Sequence, residues 1–206
     1  MNSKEIPDIV LIYPDDCPDK LIEDEIKEFY SSHLNLKVQK AEKDAWMAFE
    51  WVVPTAFGVY ILKPYFDSFL KEAGKDHYLL LKSGLKKIVE KGKIIKARFI
   101  AAKQSTKKLS EDYNQSVVVS IELQTKNNRH IKLLFDNELD KTDWEDAIDQ
   151  LFDLVIENYE SYPNDKLSEN INTRIEKENG IVYGVINPKT KKVEFFDDRK
   201  LCKKYK

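Results

Sequence analysis

From Ser116 to Phe135 the chain alternates apolar and polar residues around a polar turn, and that pattern leaves little choice of backbone. Val117, Val119, Ile121 and Leu123 fall on one side of an extended strand, with Val118, Ser120, Glu122 and Gln124 on the other. Lys126-Asn-Asn-Arg129 turns the chain, and Ile131, Leu133 and Phe135 resume the alternation. The pair predicts an antiparallel β-hairpin with one face buried and the other facing solvent. A hairpin needs a layer to pack against, and the next segment supplies one. Trp144, Ile148, Leu151, Val155 and Tyr159 recur at helical spacing up to about Tyr162, behind Thr142-Asp-Trp-Glu145, which has the form of a capping box.

The flanking segments add both kinds of element. Ile9-Val-Leu-Ile12 is a short apolar run within a strand from Ile6 to Tyr13, and Pro14-Asp-Asp-Cys-Pro18 turns the chain. An amphipathic helix over Asp19 to Ser31 and a strand over Leu34 to Gln39 complete an N-terminal β-α-β unit. A central helical pair follows, one helix opening at Pro64 and ending before Gly74, the next capped by Asp76, striped by Tyr78, Leu81, Leu85 and Ile88, and ended by Gly92. Ile94 to Ala102 reads as a strand. Beyond a polar link from Pro163 to Gly180 that is open to helix, Ile181 to Ile186 and Val193 to Phe196 form a second hairpin around Asn187-Pro-Lys-Thr190. The expectation is an α+β fold: residues 1–162 form the main domain, and residues 163–206 form a C-terminal hairpin and basic tail packed on it.

Several classes are disfavoured on physical grounds. The apolar stretch from Trp51 to Leu62 is shorter than the roughly 20 residues of a spanning helix, and Pro54 and Gly58 interrupt it, so no stable transmembrane span is expected. Met1 to Asp8 lacks the basic patch and apolar run of a secretory signal, which points to a cytoplasmic setting. Cys17 and Cys202 are far apart and outside any metal-binding spacing, and His33, His77 and His130 are isolated, so neither a metal site nor a cofactor is expected.

Charge is strongly segregated. Residues 82–108 carry ten basic side chains against the single acid Glu90, a net of +9, and residues 136–165 carry eleven acids against Lys141, a net of −10. Such segments either lie near one another in the fold or form solvated faces, and a basic surface left uncovered would steer an anionic partner.

The leading functional expectation is a non-enzymatic protein-interaction or accessory module, open to self-association. Its contacts would come from the aromatic residues of the apolar central segment: Trp46, Trp51, Phe57, Tyr60 and Tyr65. An alternative is binding of nucleic acid or an anionic membrane through Lys86, Lys87, Lys91, Lys93, Lys96 and Arg98, with Lys203 and Lys204 in support. A third is a degraded magnesium-dependent nuclease, with Asp112 and Glu122 as carboxylates, Gln124 where a lysine is needed, and Lys126 on the same strand face. No catalytic set is complete in the sequence.

Overall fold

The computed structural model describes residues 6–15, 23, 27, 34–41, 57–72, 75–94, 115–175 and 181–197. Seven strands form one mixed sheet: β1 (Ile9–Pro14), β2 (Leu36–Ala41), β3 (Phe57–Ile61), β4 (Gln115–Gln124), β5 (His130–Asp136), β6 (Ile181–Ile186) and β7 (Val193–Phe196), in the order β2-β1-β3-β4-β5-β6-β7. The described helices are α1 (Lys63–Glu72), α2 (Lys75–Ile94), α3 (Lys141–Ser161) and α4 (Lys166–Arg174). The class is α+β, as expected.

Strand direction follows connection length. Two neighbouring antiparallel strands need only a tight turn, as in β4–β5 and β6–β7, whereas parallel neighbours need a long crossover. The α1–α2 pair connects parallel β3 and β4, and the α3–α4 pair connects parallel β5 and β6. Strands β1 and β2 are also parallel, in the manner of the N-terminal β-α-β unit. Within the helix expected between them, Glu23 and Lys27 are helical and the remainder lies outside the described residues.

Register places one apolar row across the whole sheet. Leu11, Val59, Ile121 and Leu133 align on successive strands, with Ile9, Ile61, Leu123, Ile131 and Val182 beside them. This face and the apolar stripes of the helices form a single core containing Phe66, Leu81, Leu85, Trp144, Leu151, Phe152, Leu167 and Ile171. Side-chain polar groups fasten the layers. The Trp144 indole N–H donates to the Asp136 carbonyl at 2.7 Å, and the Tyr159 hydroxyl to the Gln124 carbonyl at 2.9 Å, while the Tyr159 ring stacks on Phe66 at 4.8 Å. Asn158 bridges three segments: its amide nitrogen donates to Asp165 and Ser168, and its oxygen accepts from the Lys126 backbone.

Several local expectations are corrected. Helix α2 runs through Gly92 to Ile94, so that glycine does not end it and Ile94 does not begin a strand; residues 95–102 lie outside the described residues. A mid-helix glycine costs about 1 kcal/mol, which the buried stripe of Leu81, Leu85, Ile88 and Val89 outweighs. Asp76 lies inside α2 and does not precede it. Asp140, not Thr142, caps α3 by accepting the Asp143 N–H at 2.8 Å. The polar link takes up its helical option in α4, capped by Asp165. Finally, the expected solvent-facing side of β4 is not exposed: Ser120 and Glu122 are buried.

Candidate functional site

The basic and acidic segments meet along α2 and α3. Tyr78, Lys82, Lys86 and Glu90 recur every four residues and form one ridge of α2. They face Asp153, Asp149 and Lys141 of α3 in descending order, so the helices run antiparallel. The Tyr78 hydroxyl donates to Asp153 at 3.1 Å, Lys82 and Lys86 reach the two oxygens of Asp149 at 2.8 and 3.1 Å, and Lys141 reaches Glu90 at 2.8 Å. The Lys82 ammonium also sits 4.8 Å from the centre of the Tyr78 ring. Burial, and then the charge of Asp153, raises the Tyr78 phenol well above its ordinary pKa, so it remains a donor in this seam. Two lysines share one aspartate, and that part of the basic belt is already neutralised in part within the molecule.

The remaining predicted anion-binding residues separate. Lys87 is on the exposed side of α2, Lys91 and Lys93 lie in the same helix with side chains outside the described residues, and Lys96 and Arg98 are wholly outside them. The aromatic set also divides. Phe57 is buried beside Tyr13, with ring centres 6.4 Å apart, and Tyr65 is buried edge-on to Phe66 at 5.2 Å. These two are core residues and not contact residues, because β3 is an interior strand and both side chains belong to the buried apolar cluster. Tyr60 points to the other side of β3 and is half-buried; Trp46 and Trp51 lie outside the described residues.

In place of those aromatics, α2 exposes two leucines. Leu79 is 61% and Leu80 43% exposed; single exposed apolar side chains are ordinary on a protein surface, and what sets these two apart is that they are adjacent. Leu79 borders an open groove of about 430 Å³, lined by Lys82, Ser83, Lys86, Lys87 and Glu90 from α2 and by Lys141, Glu145 and Asp149 from α3. Four lysines against three carboxylates leave that lining one positive charge. The sequence carried a signal for this patch. Tyr78-Leu-Leu-Leu81 places apolar residues at consecutive 100° steps, more than one buried stripe accommodates.

The opposite face of the sheet holds the other charged cluster. Tyr60, Glu122, Lys132 and Tyr183 are aligned in register across β3, β4, β5 and β6. Glu122 is 8% and Lys132 2% exposed, on the two central strands. The His130 Nδ1 lies 2.7 Å from a Glu122 oxygen and donates to it when Glu122 is the carboxylate, which only accepts. Among the described residues the nuclease set is not assembled around Glu122. The Gln124 side-chain oxygen accepts the Lys63 backbone N–H at 2.9 Å, Lys126 turns toward Asp67 and the Tyr159 ring, and Asp112 lies outside the described residues. Among the described residues no three His, Cys, Asp or Glu side chains group to hold a metal ion, and no helix is long and apolar enough to cross a membrane. Cys17, Cys202 and His33 fall outside the described residues, as does the side chain of His77.

No protein-family model, curated protein or solved structure matches this chain, so its own geometry carries the functional argument.

Proposed function

We propose that the chain is a protein-binding module that engages its partner through the outer side of α2, with Leu79 and Leu80 as the apolar contact and the lysine-rich groove edge as its polar border. The observation that carries this reading is the pairing of two adjacent exposed leucines with a groove whose lining has a surplus positive charge. Apolar side chains at the centre of a contact supply affinity when water is excluded from them, and a charged border selects and orients the partner. A cytoplasmic setting belongs to the same reading. Binding of nucleic acid or anionic membrane has less support, because Lys82 and Lys86 are committed to Asp149.

Selection of a displayed library of helical peptides on the wild-type protein, with counter-selection on Leu79→Ser/Leu80→Ser, tests the reading. Enriched peptides should be amphipathic with an acidic edge and should lose binding to the double variant. If every enriched peptide binds the variant equally well, α2 is not the contact.

A further inference from the structure

We infer that a second copy of this chain extends the sheet at β2, the two β2 strands pairing antiparallel across a twofold axis that passes through Val38. The two ends of the sheet differ. At β7 the Val193 N–H, which points away from β6, donates to the Gln150 side chain at 3.3 Å, and the Gln150 amide donates in turn to the Lys191 carbonyl at 3.1 Å, so α3 closes that edge beside the turn. At β2 no further strand follows among the described residues. The Asn35 carbonyl accepts from the Ile9 N–H, the register with β1 is unbroken from Ile9 opposite Leu36 to Pro14 opposite Ala41, and in such a ladder alternate residues bond to one neighbour. Lys37 and Gln39 therefore bond back to β1, while Leu36, Val38 and Lys40 turn their backbone N–H and C=O groups outward. A row of that kind is a template for one more strand.

Side chains select which strand that is. The apolar row of Leu133, Ile121, Val59 and Leu11 runs on to Val38 and stops there: Leu36 and Val38 pack on the core yet are only half-buried. Lysines on an edge oppose pairing wherever they meet one another, and Lys37 and Lys40 are both exposed. Centred on Val38, the antiparallel image of β2 sets Val38 against Val38, Leu36 against Lys40 and Lys37 against Gln39, so no lysine faces a lysine. The outward residues of one copy then exchange bonds with the outward residues of the other. Val38 carries the core row into the second copy, and the Lys40 stem covers Leu36. Centred one residue earlier, Lys37 would meet Lys37; centred one residue later, Leu36 would fall opposite residue 42, past the end of β2. The edge thus fits its own image in one register, and a twofold pair made there is closed. The contact uses no residue of α2.

Sedimentation velocity of the full chain over a concentration series is the test, and the wild type should show a monomer–dimer equilibrium. Gln39 is exposed, so its charge is changed without touching the core. Gln39→Glu sets a carboxylate against Lys37 twice in the pair and should tighten it, whereas Gln39→Lys sets like charges there and should weaken it. The two dimerisation constants should differ about tenfold at low salt and converge as salt is added. Val38→Pro removes an N–H that β1 does not use, a change that an edge strand tolerates, and should leave a monomer of unchanged circular dichroism. A dimer that Gln39→Glu and Gln39→Lys alter equally overturns the inference. So does a wild type that stays monomeric at every concentration, which would leave the β2 edge to an extended segment of another protein.

Discussion

The two sides of the central strands are built from the same backbone and hold opposite chemistry. On one, Val59, Ile121 and Leu133 lie under the helices in a continuous apolar core; on the other, Tyr60, Glu122 and Lys132 occupy the adjacent position of each strand. The first side is held by area removed from water, which is tolerant of small changes in geometry. The second is held by charge and hydrogen bonding, where the loss of one group removes a directional partner that buried area does not replace. A third environment, the α2–α3 seam, has the same charged residue types in partial contact with water, and there the same kind of pair contributes little to stability. Burial, not charge, decides what each cluster is worth.

The apolar side should give the largest effect. Trp144 is almost completely buried, lies 4.9 Å from the Phe135 ring and donates its indole hydrogen to the Asp136 carbonyl. Trp144→Ala removes the ring from the α3–β5 contact and is expected to cost about 3–5 kcal/mol, read as the loss of urea midpoint at unchanged slope. A cost below about 1 kcal/mol would mean that the helical layer does not depend on this contact.

Truncating the carboxylate on the polar side should cost less. Glu122→Ala leaves Nδ1 of His130 without its acceptor and is expected to cost about 1–3 kcal/mol. Glu122→Gln keeps the shape and an acceptor oxygen, and should recover part of that loss. If the two variants are equally stable, packing rather than hydrogen bonding sets the value of the row.

How much of this was legible in the sequence depended on what each pattern can encode. Alternation over Val117 to Phe135 gave the hairpin, and helical spacing gave α2 and α3, because period reports directly on local geometry. Period does not report what lies on the second side of a strand, so Glu122 read as exposed although it is buried. The meeting of the +9 and −10 segments was foreseeable from their opposite sign, yet the sharing of Asp149 by Lys82 and Lys86 depends on the antiparallel helix register, which only the packed fold sets. Phe57 and Tyr65 read as contact residues because an apolar block looks the same whether it faces a partner or its own core. Asp140 and Thr142 are both competent caps by type, and geometry chose the aspartate.

Alkaline pH provides a smaller, graded comparison of buried and wet tyrosines. Burial, then the charge of Asp67, raises the Tyr159 phenol, and burial is also the main cause of the upward shift at Tyr65. A folded-state pKa above the unfolded value means that the stabilisation is fully present below the ordinary tyrosine value of about 10 and declines as pH rises beyond it. Tyr159→Phe should cost about 1 kcal/mol at neutral pH, for the lost bond to the Gln124 carbonyl, and should flatten the fall of stability above pH 10. An unchanged alkaline slope in thermal melts would assign that fall to other groups.

The smallest stability effect and the most informative binding effect should come from Asp149→Asn. Its carboxylate is partly exposed and holds both Lys82 and Lys86, so the substitution removes one negative charge from the seam without opening a cavity. Exposed pairs of this kind are worth less than about 1 kcal/mol, and salt should erase most of the difference between variant and wild type. Binding responds differently, because the two lysines lose their internal counter-charge and the groove lining passes from one surplus positive charge to two. Retention on a heparin column should therefore rise in the variant and fall again with added salt, even though the melting temperature barely moves. Equal retention of the two proteins at low salt would show that Lys82 and Lys86 are unavailable to an outside anion whether or not Asp149 is charged, and would confine the seam to joining α2 to α3.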